Sequence, residues 1–195
     1  VDEWGTWWDV EPGTNPGHLY QQNTMRDAFV AALTFNIFHK HTRRVKMANI
    51  AQIVNVLQSM ILTNQEDGGH MVLTPTYHVF KMYTPFQEAL PLPVDISCKT
   101  MNVRKDYTRP IAPDNQKNLP LVSCSAAKKD DGTILIALAN VCLDKQQEIK
   151  INLSGENPKS FKGTILTSKN IADHNDFGHP NKVKPEAFNN AKIKN

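Results

Sequence analysis

The chain has 195 residues, 40% of them hydrophobic and 21% charged, enough for one large domain or two small ones with a real core. Its net charge of +3, with no Arg/Lys block and no interleaving of basic and aromatic residues, argues against a nucleic-acid partner. No apolar run reaches the roughly 18 residues that a membrane-spanning helix needs.

The charge is unevenly spread. Residues 1–93 carry 6 Lys/Arg against 8 Asp/Glu, whereas residues 94–195 carry 16 against 11, which points to two regions of different character. The three cysteines, Cys98, Cys124 and Cys142, are odd in number and irregularly spaced, so they form neither a disulfide framework nor a zinc site. Their apolar, strand-like surroundings make buried free thiols the expectation and one disulfide the alternative.

The chain opens on Val1-Asp2-Glu3-Trp4-Gly5-Thr6-Trp7-Trp8. Two readings fit it. A carboxylate at a strand end followed by indole faces suits a site that cleaves a sugar, with Glu3 as an oxygen nucleophile. Alternatively the acidic pair is solvated and the tryptophans are core. Val1 to Trp4 reads as the end of a buried strand already under way, so the chain is expected to start inside a domain. Asp9 to Gly17 is a loop rich in breakers. A helix is predicted over Asn23 to His39, where Ala28, Ala31, Ala32, Phe35 and Phe38 recur at helical spacing and Asn23 or Thr24 caps. Val45 to Ala48 is compatible with a short strand. Ile50 to Ile61 is predicted as a second helix, with Ile50, Ile53, Val54, Leu57 and Ile61 on one face. Strand, loop, helix, strand, helix is the βα repeat of a parallel architecture.

Asn64 to Gly69 is a polar turn. Leu73 to Tyr83 starts extended and becomes a short helix, and Pro85, Pro91 and Pro93 mark a linker. From Val94 the pattern changes. Val94 to Cys98 and Glu148 to Leu153 alternate with period two, and Leu121 to Ala127, Ile134 to Val141 and Phe161 to Leu166 are strand-like. Asp130-Asp131-Gly132 is a hairpin turn. Such spacing predicts an antiparallel sandwich. Ser168 to Pro180 reads as a polar surface loop.

Four segments, in order, carry a resemblance: Asp2-Glu3-Trp4-Gly5-Thr6-Trp7, Leu19 to Ala28, Val45 to Val56, and Leu73 to Phe80. They resemble the α-L-arabinofuranosidases of glycoside hydrolase family 51, densely over residues 1–95 and more loosely beyond. That family implies a mixed α/β and all-β fold. Residues 1–93 would be the last two βα units of a (β/α)8 TIM barrel, with Val1 to Trp4 and Val45 to Asn49 as its seventh and eighth strands. Residues 94–195 would be the C-terminal antiparallel β-sandwich of jelly-roll type, incomplete if strands come from before the barrel. Barrel active sites lie at the C-terminal ends of the strands, where Glu3 and Gln52 fall.

The resemblance implies a retaining, exo-acting enzyme that removes terminal arabinofuranosyl groups from arabinan- or arabinoxylan-type chains. Glu3 matches the nucleophile, Trp7 a substrate-binding tryptophan and Gln52 a residue that hydrogen-bonds the sugar. An ionised Glu3 should be held by hydrogen-bond donors. The acid/base glutamate of the family follows an asparagine, and no Asn-Glu dipeptide occurs here. The isolated chain is therefore expected to be inactive, and its exposed strand edges and apolar helix faces (Phe35, Phe38, Leu57, Ile61) to drive homo-oligomer formation or pairing with an N-terminal part.

Trp4 is expected to pack rather than touch sugar, Asp2 to brace the strand end, and Asn49 and Asn55 to start a helix or satisfy backbone. His39 and His41 suit a helix C-terminus rather than a metal. Tyr77 and His78 are placed near the barrel mouth. No cofactor is implied, and secreted, periplasmic and cytoplasmic locations all remain compatible. Endo-glucanase or xylosidase action within the family is an alternative. A non-catalytic carbohydrate-binding or interaction module is another, weakened by the few aromatics after Val94 (Tyr107, Phe161, Phe177 and Phe188).

Overall fold

The computed structural model describes residues 1–64, 69–106, 108, 110 and 112–193. The middle of the polar turn at Asn64–Gly69, and Tyr107, lie outside them. Helix α1 spans Met25–Lys40, close to the predicted span. Thr24 caps it within a capping box: its side chain accepts from the Arg26 N–H, and its own N–H reaches Asp27 Oδ2 at 2.7 Å. The helix ends on His39 and Lys40, and the Lys40 ammonium suits the negative end of its dipole.

The expected second helix over Ile50–Ile61 does not form. Asn55 and Leu57 take left-handed backbone, with φ of 60° and 52°, which an α-helix cannot contain. The backbone closes on itself through Asn55 N–H to Ile61 O and Ile61 N–H to Ile53 O. The apolar spacing misled because Ile53 and Val54 are exposed while Leu57 is buried and donates its N–H to Leu19 O. Val45–Ala48 forms no strand either; among the described residues parallel pairing is confined to the bridges Trp4–Ile50 and Val54–Ile61.

Strands β1 (Ile61–Asn64) and β2 (His70–Leu73) pair antiparallel. Helix α2, Pro75–Tyr83, follows, capped by the Thr74 side chain with Pro75 in its first turn, where a missing N–H costs nothing. This is the extended-then-helical pattern read from the sequence. The predicted linker holds strand β3, Leu90–Leu92; an edge strand tolerates its proline. β4 (Thr100–Arg104) pairs with β5 (Gln116–Pro120), and β6 (Val122–Lys128) pairs with both β3 and β7 (Ile134–Asn140). The β6–β7 turn is the predicted one, with Gly132 at φ 85° and Lys129 N–H donating to Thr133 O. β8 (Gly163–Ile165) pairs with β9 (Glu186–Phe188).

All these sheets are antiparallel and small, and strands outnumber helices. Val94–Cys98 and Glu148–Leu153 alternate in sequence yet form no ladder. Ile149 and Ile151 stay exposed, because a period-two pattern needs a partner strand before it becomes a sheet.

The core joins distant parts of the chain. Met25, Ala28 and Ala31 of α1, Val79 of α2 and Val183 are buried together. The segment before Val183 lies along the start of α1, where Met25 N–H bonds Asp173 O and Arg26 N–H bonds Ile171 O. Phe35 and Phe38 are partly buried against Trp4 and Leu57 is buried. The faces expected to be bare are therefore largely covered. The exposed apolar side chains of this region are instead Ile37, Met47, Ile53 and Val54. All three cysteines are free; Cys124 is buried, Cys142 half-buried and Cys98 exposed, the last contrary to expectation because its segment lacks a covering strand.

Candidate active site

The first strand end is fixed by pairing. Trp4 N–H donates to Asn49 O at 3.0 Å and Ala51 N–H to Trp4 O at 3.0 Å. The Trp4 ring meets Phe35 and Phe38 edge-on, each at 5.5 Å, and stacks on Phe80 at 5.8 Å. Trp4 is thus core, as expected. Glu3 is the residue before it. It is exposed and makes no hydrogen bond or ion pair with another described residue. The donors expected around its oxygens are not supplied by the described residues. Gln52 lies two positions beyond Ile50, the partner of Trp4, and is also exposed. The pairing sets the two segments side by side, in a register that puts Asn49 opposite Glu3 and Gln52 three positions further along.

Asp2 is held through its carbonyl, which accepts from Asn49 Nδ2 at 3.3 Å. Asn55 exchanges two hydrogen bonds with Thr63, at 2.9 and 2.8 Å. Neither asparagine starts a helix; both satisfy backbone or neighbouring polar groups.

Past Glu3 the chain is tied down by buried polar side chains. Gly5, at φ 150°, lets the backbone approach closely: a Cβ there would lie 3.1 Å from Ala51 O and 3.3 Å from Gln58 Oε1. Thr6 N–H donates to Gln58 Oε1 at 2.9 Å, and Thr6 Oγ1 to Asp27 Oδ1 at 3.0 Å. Trp8 Nε1 donates to the same Asp27 oxygen at 2.7 Å, and Trp8 N–H to Gln21 Oε1 at 2.8 Å. Gln58 Nε2 returns to Asp27 O at 3.0 Å. Between these anchors Trp7 is 66% exposed.

The guanidinium of Arg26 sits 3.8 Å from the centroid of the Trp8 ring, a cation–π contact. Trp8, Asp9, Glu11, Gln21, Gln22 and Arg26 line an open cavity of about 230 Å³. Tyr77 and His78 lie in the first turn of α2 and make no described hydrogen bond to the Glu3–Trp8 segment. Burial pushes the His78 imidazole below its ordinary pKa.

Sequence reasoning missed Asp27, Gln58 and Gln21. The spacing of Thr24 and Asp27 is the capping-box signature and would have flagged Asp27 as structurally committed. Gln58 carries no local signal, because its partners are up to 52 residues away.

The family described as the α-L-arabinofuranosidase C-terminal domain matches residues 2–195. The chain belongs to this family. It is similar to an intracellular exo-α-L-arabinofuranosidase of Bacteroides ovatus, at 55% identity over 99% of this chain and 35% of that protein. Among solved structures it is similar to the GH51 arabinofuranosidase of Xanthomonas axonopodis pv. citri. There the identity is 45% and the TM-score 0.86, covering 100% of this chain and 36% of that one. A family 51 α-L-arabinofuranosidase of Bifidobacterium longum shares the fold, with a TM-score of 0.78 at 22% identity over 95% of this chain and 36% of that one. The chain spans about a third of the length of these relatives. The arabinofuranosidase family read from the four motifs is thus the one the chain belongs to, and its sheet-rich character agrees with the strand-dominated pattern expected after Val94.

Proposed function

We propose that this chain contributes the nucleophile side of the active site to a retaining, exo-acting α-L-arabinofuranosidase. Such an enzyme releases terminal arabinofuranosyl groups from arabinan- or arabinoxylan-type chains. The observation that carries the reading is the parallel pairing of Trp4 with Ile50, which sets the segments that carry Glu3 and Gln52 side by side. Membership of the arabinofuranosidase family supports it.

In this reading residues 1–93 are the last two βα units of a (β/α)8 barrel and residues 94–195 the C-terminal sandwich of jelly-roll type. β3 reaches from the first part into the sheet of the second. Val1–Trp4 and the Val45–Asn49 segment stand as the seventh and eighth barrel strands. The rest of the barrel would extend their ladder.

Glu3 attacks the anomeric carbon as the glycosidic C–O bond breaks and the leaving oxygen takes a proton from the acid/base glutamate; water then hydrolyses the glycosyl-enzyme ester. Retention requires a second carboxyl group about 5–5.5 Å from the first. That acid/base glutamate lies outside this chain, which has no Asn-Glu dipeptide. Trp7 offers a flat apolar face to the furanose, and the Gln52 amide donates to and accepts from sugar hydroxyls. Assembly with the remaining barrel completes the site and supplies donors to the Glu3 carboxylate.

A mechanism-based arabinofuranosyl label applied to the full-length enzyme tests this. Peptide mapping is expected to find the adduct on Glu3. A label on any other side chain overturns the assignment.

A further inference from the structure

Trp7 makes no ring contact with another described aromatic side chain and is two-thirds exposed, yet its neighbours on both sides are immobilised. Their side chains converge on one atom. Asp27 Oδ1 accepts from Thr6 Oγ1 at 3.0 Å and from Trp8 Nε1 at 2.7 Å. The other oxygen, Oδ2, accepts from Thr24 N–H at 2.7 Å and closes the capping box of α1. The Asp27 side chain is wholly buried, and Gln58 links its carbonyl to the Thr6 N–H. A helix cap alone uses one carboxylate oxygen. Asp27 uses both, and the second clamps the two residues that flank Trp7.

We propose that Asp27 is a positioning residue for substrate binding: its Oδ1 fixes the Thr6–Trp8 segment so that the Trp7 ring is presented ready-made to the sugar. The inference rests on Trp7 being the sugar-facing ring. Ordering the platform before binding removes a cost that would otherwise weaken affinity. A ring that packs equally on ground state and transition state affects KM more than kcat.

The division of labour between the two oxygens makes the test specific. Thr6→Val and Trp8→Phe each remove one partner of Oδ1 and leave the cap intact. Thr24→Ala weakens the cap and leaves Oδ1 its partners. In the full-length enzyme, Thr6→Val and Trp8→Phe are each expected to raise KM about tenfold, the loss of one hydrogen bond to a charged acceptor, with kcat changed far less. Thr6→Ser restores the hydroxyl and KM. Thr24→Ala lowers the melting temperature and leaves KM unchanged.

Fluorine NMR of 5-fluorotryptophan-labelled protein supplies a readout independent of catalysis. Trp7 relaxes with the folded body in the parent protein and as a free loop in Thr6→Val. Parent-like KM and relaxation in both Oδ1 variants overturn the proposal, as does a KM rise in Thr24→Ala equal to theirs. Persistent activity in Glu3→Gln would instead overturn the catalytic reading, while Trp7 relaxation would still decide whether the clamp exists.

Discussion

His39 Nδ1 stands 2.8 Å from Ser125 Oγ, a contact that joins α1 to the central strand β6. Ser125 gives its single hydroxyl hydrogen to Asn36 Oδ1 at 2.8 Å, so His39 carries its hydrogen on Nδ1 and is the donor. Tyr83 OH also donates to Asn36 Oδ1, and Asn36 Nδ2 donates to Ser123 Oγ. The network spans the two regions that charge and periodicity separated at residue 93. Ser125→Ala leaves the His39 N–H without its acceptor and Asn36 Oδ1 with one donor fewer. The expected loss is about 1–3 kcal/mol, read as a lower denaturant midpoint with an unchanged slope. A variant as stable as the parent would show that the network adds nothing.

Acid should destabilise the fold in two stages. Burial lowers the pKa of His39 and of His78, so just below the ordinary imidazole pKa of about 6.5 the unfolded chain binds more protons than the folded one. Stability then falls as pH falls through that value. The second stage belongs to carboxylates. Hydrogen bonds from Lys182 and then Ser168 hold Asp173 down to about 2, and hydrogen bonds with Thr108 and Thr133 lower Asp106 and Asp131. Their contribution is present above the unfolded value of about 3.9 and is lost below it. Melting temperature against pH measures both. His39→Asn and His78→Asn together are expected to flatten the first stage only, and a first stage that survives them would refute its assignment.

Local chemistry made some of the fold legible. The α1 cap, read as Asn23 or Thr24 and found as Thr24, the extended-then-helical run of Leu73 to Tyr83 and the Asp130-Asp131-Gly132 turn are each decided within a few residues. Ile50–Ile61 was not legible. Its apolar spacing mimics a helix, whereas tertiary hydrogen bonds to Leu19 and Thr6 and left-handed Asn55 and Leu57 decide its shape. Val94–Cys98 and Glu148–Leu153 show the reverse case, a strand pattern with no strand beside it. In the candidate site, Glu3, Trp7 and Gln52 were named from motifs. The residues that hold the flanks of Trp7 act across the chain: Asp27 shows locally only as a helix cap, and Gln58 leaves no local trace.

Gly5 is the tightest point of the site. Its φ of 150° is a backbone state that L side chains rarely adopt, and a Cβ would press on Ala51 O at 3.1 Å and on the buried Gln58 side chain. Gly5→Ala must therefore strain the backbone and push Thr6 away from Gln58 Oε1. The expected cost is about 1–3 kcal/mol of stability, with a loss of activity in the full-length enzyme larger than stability alone explains. Thermal melts and steady-state kinetics on the same preparation check this. Equal activity in folded Gly5→Ala would mean that the close approach is not needed.

The exposed state of Glu3 leads to the last expectation. A carboxylate in open solvent, with no described donor at its oxygens and no second carboxyl paired with it, lacks what a retaining mechanism needs. The 195-residue chain alone is therefore expected to give no turnover of 4-nitrophenyl α-L-arabinofuranoside, and Glu3→Gln in this chain to change nothing. In the full-length enzyme the same substitution removes the attacking oxyanion, and kcat is expected to fall by roughly four orders of magnitude or more, as for other groups that act as a unit. The two experiments separate the roles of residue and surroundings. Turnover by the isolated chain would mean that Glu3 needs no partner from outside it, and full activity of the Glu3→Gln enzyme would mean that the nucleophile is another group.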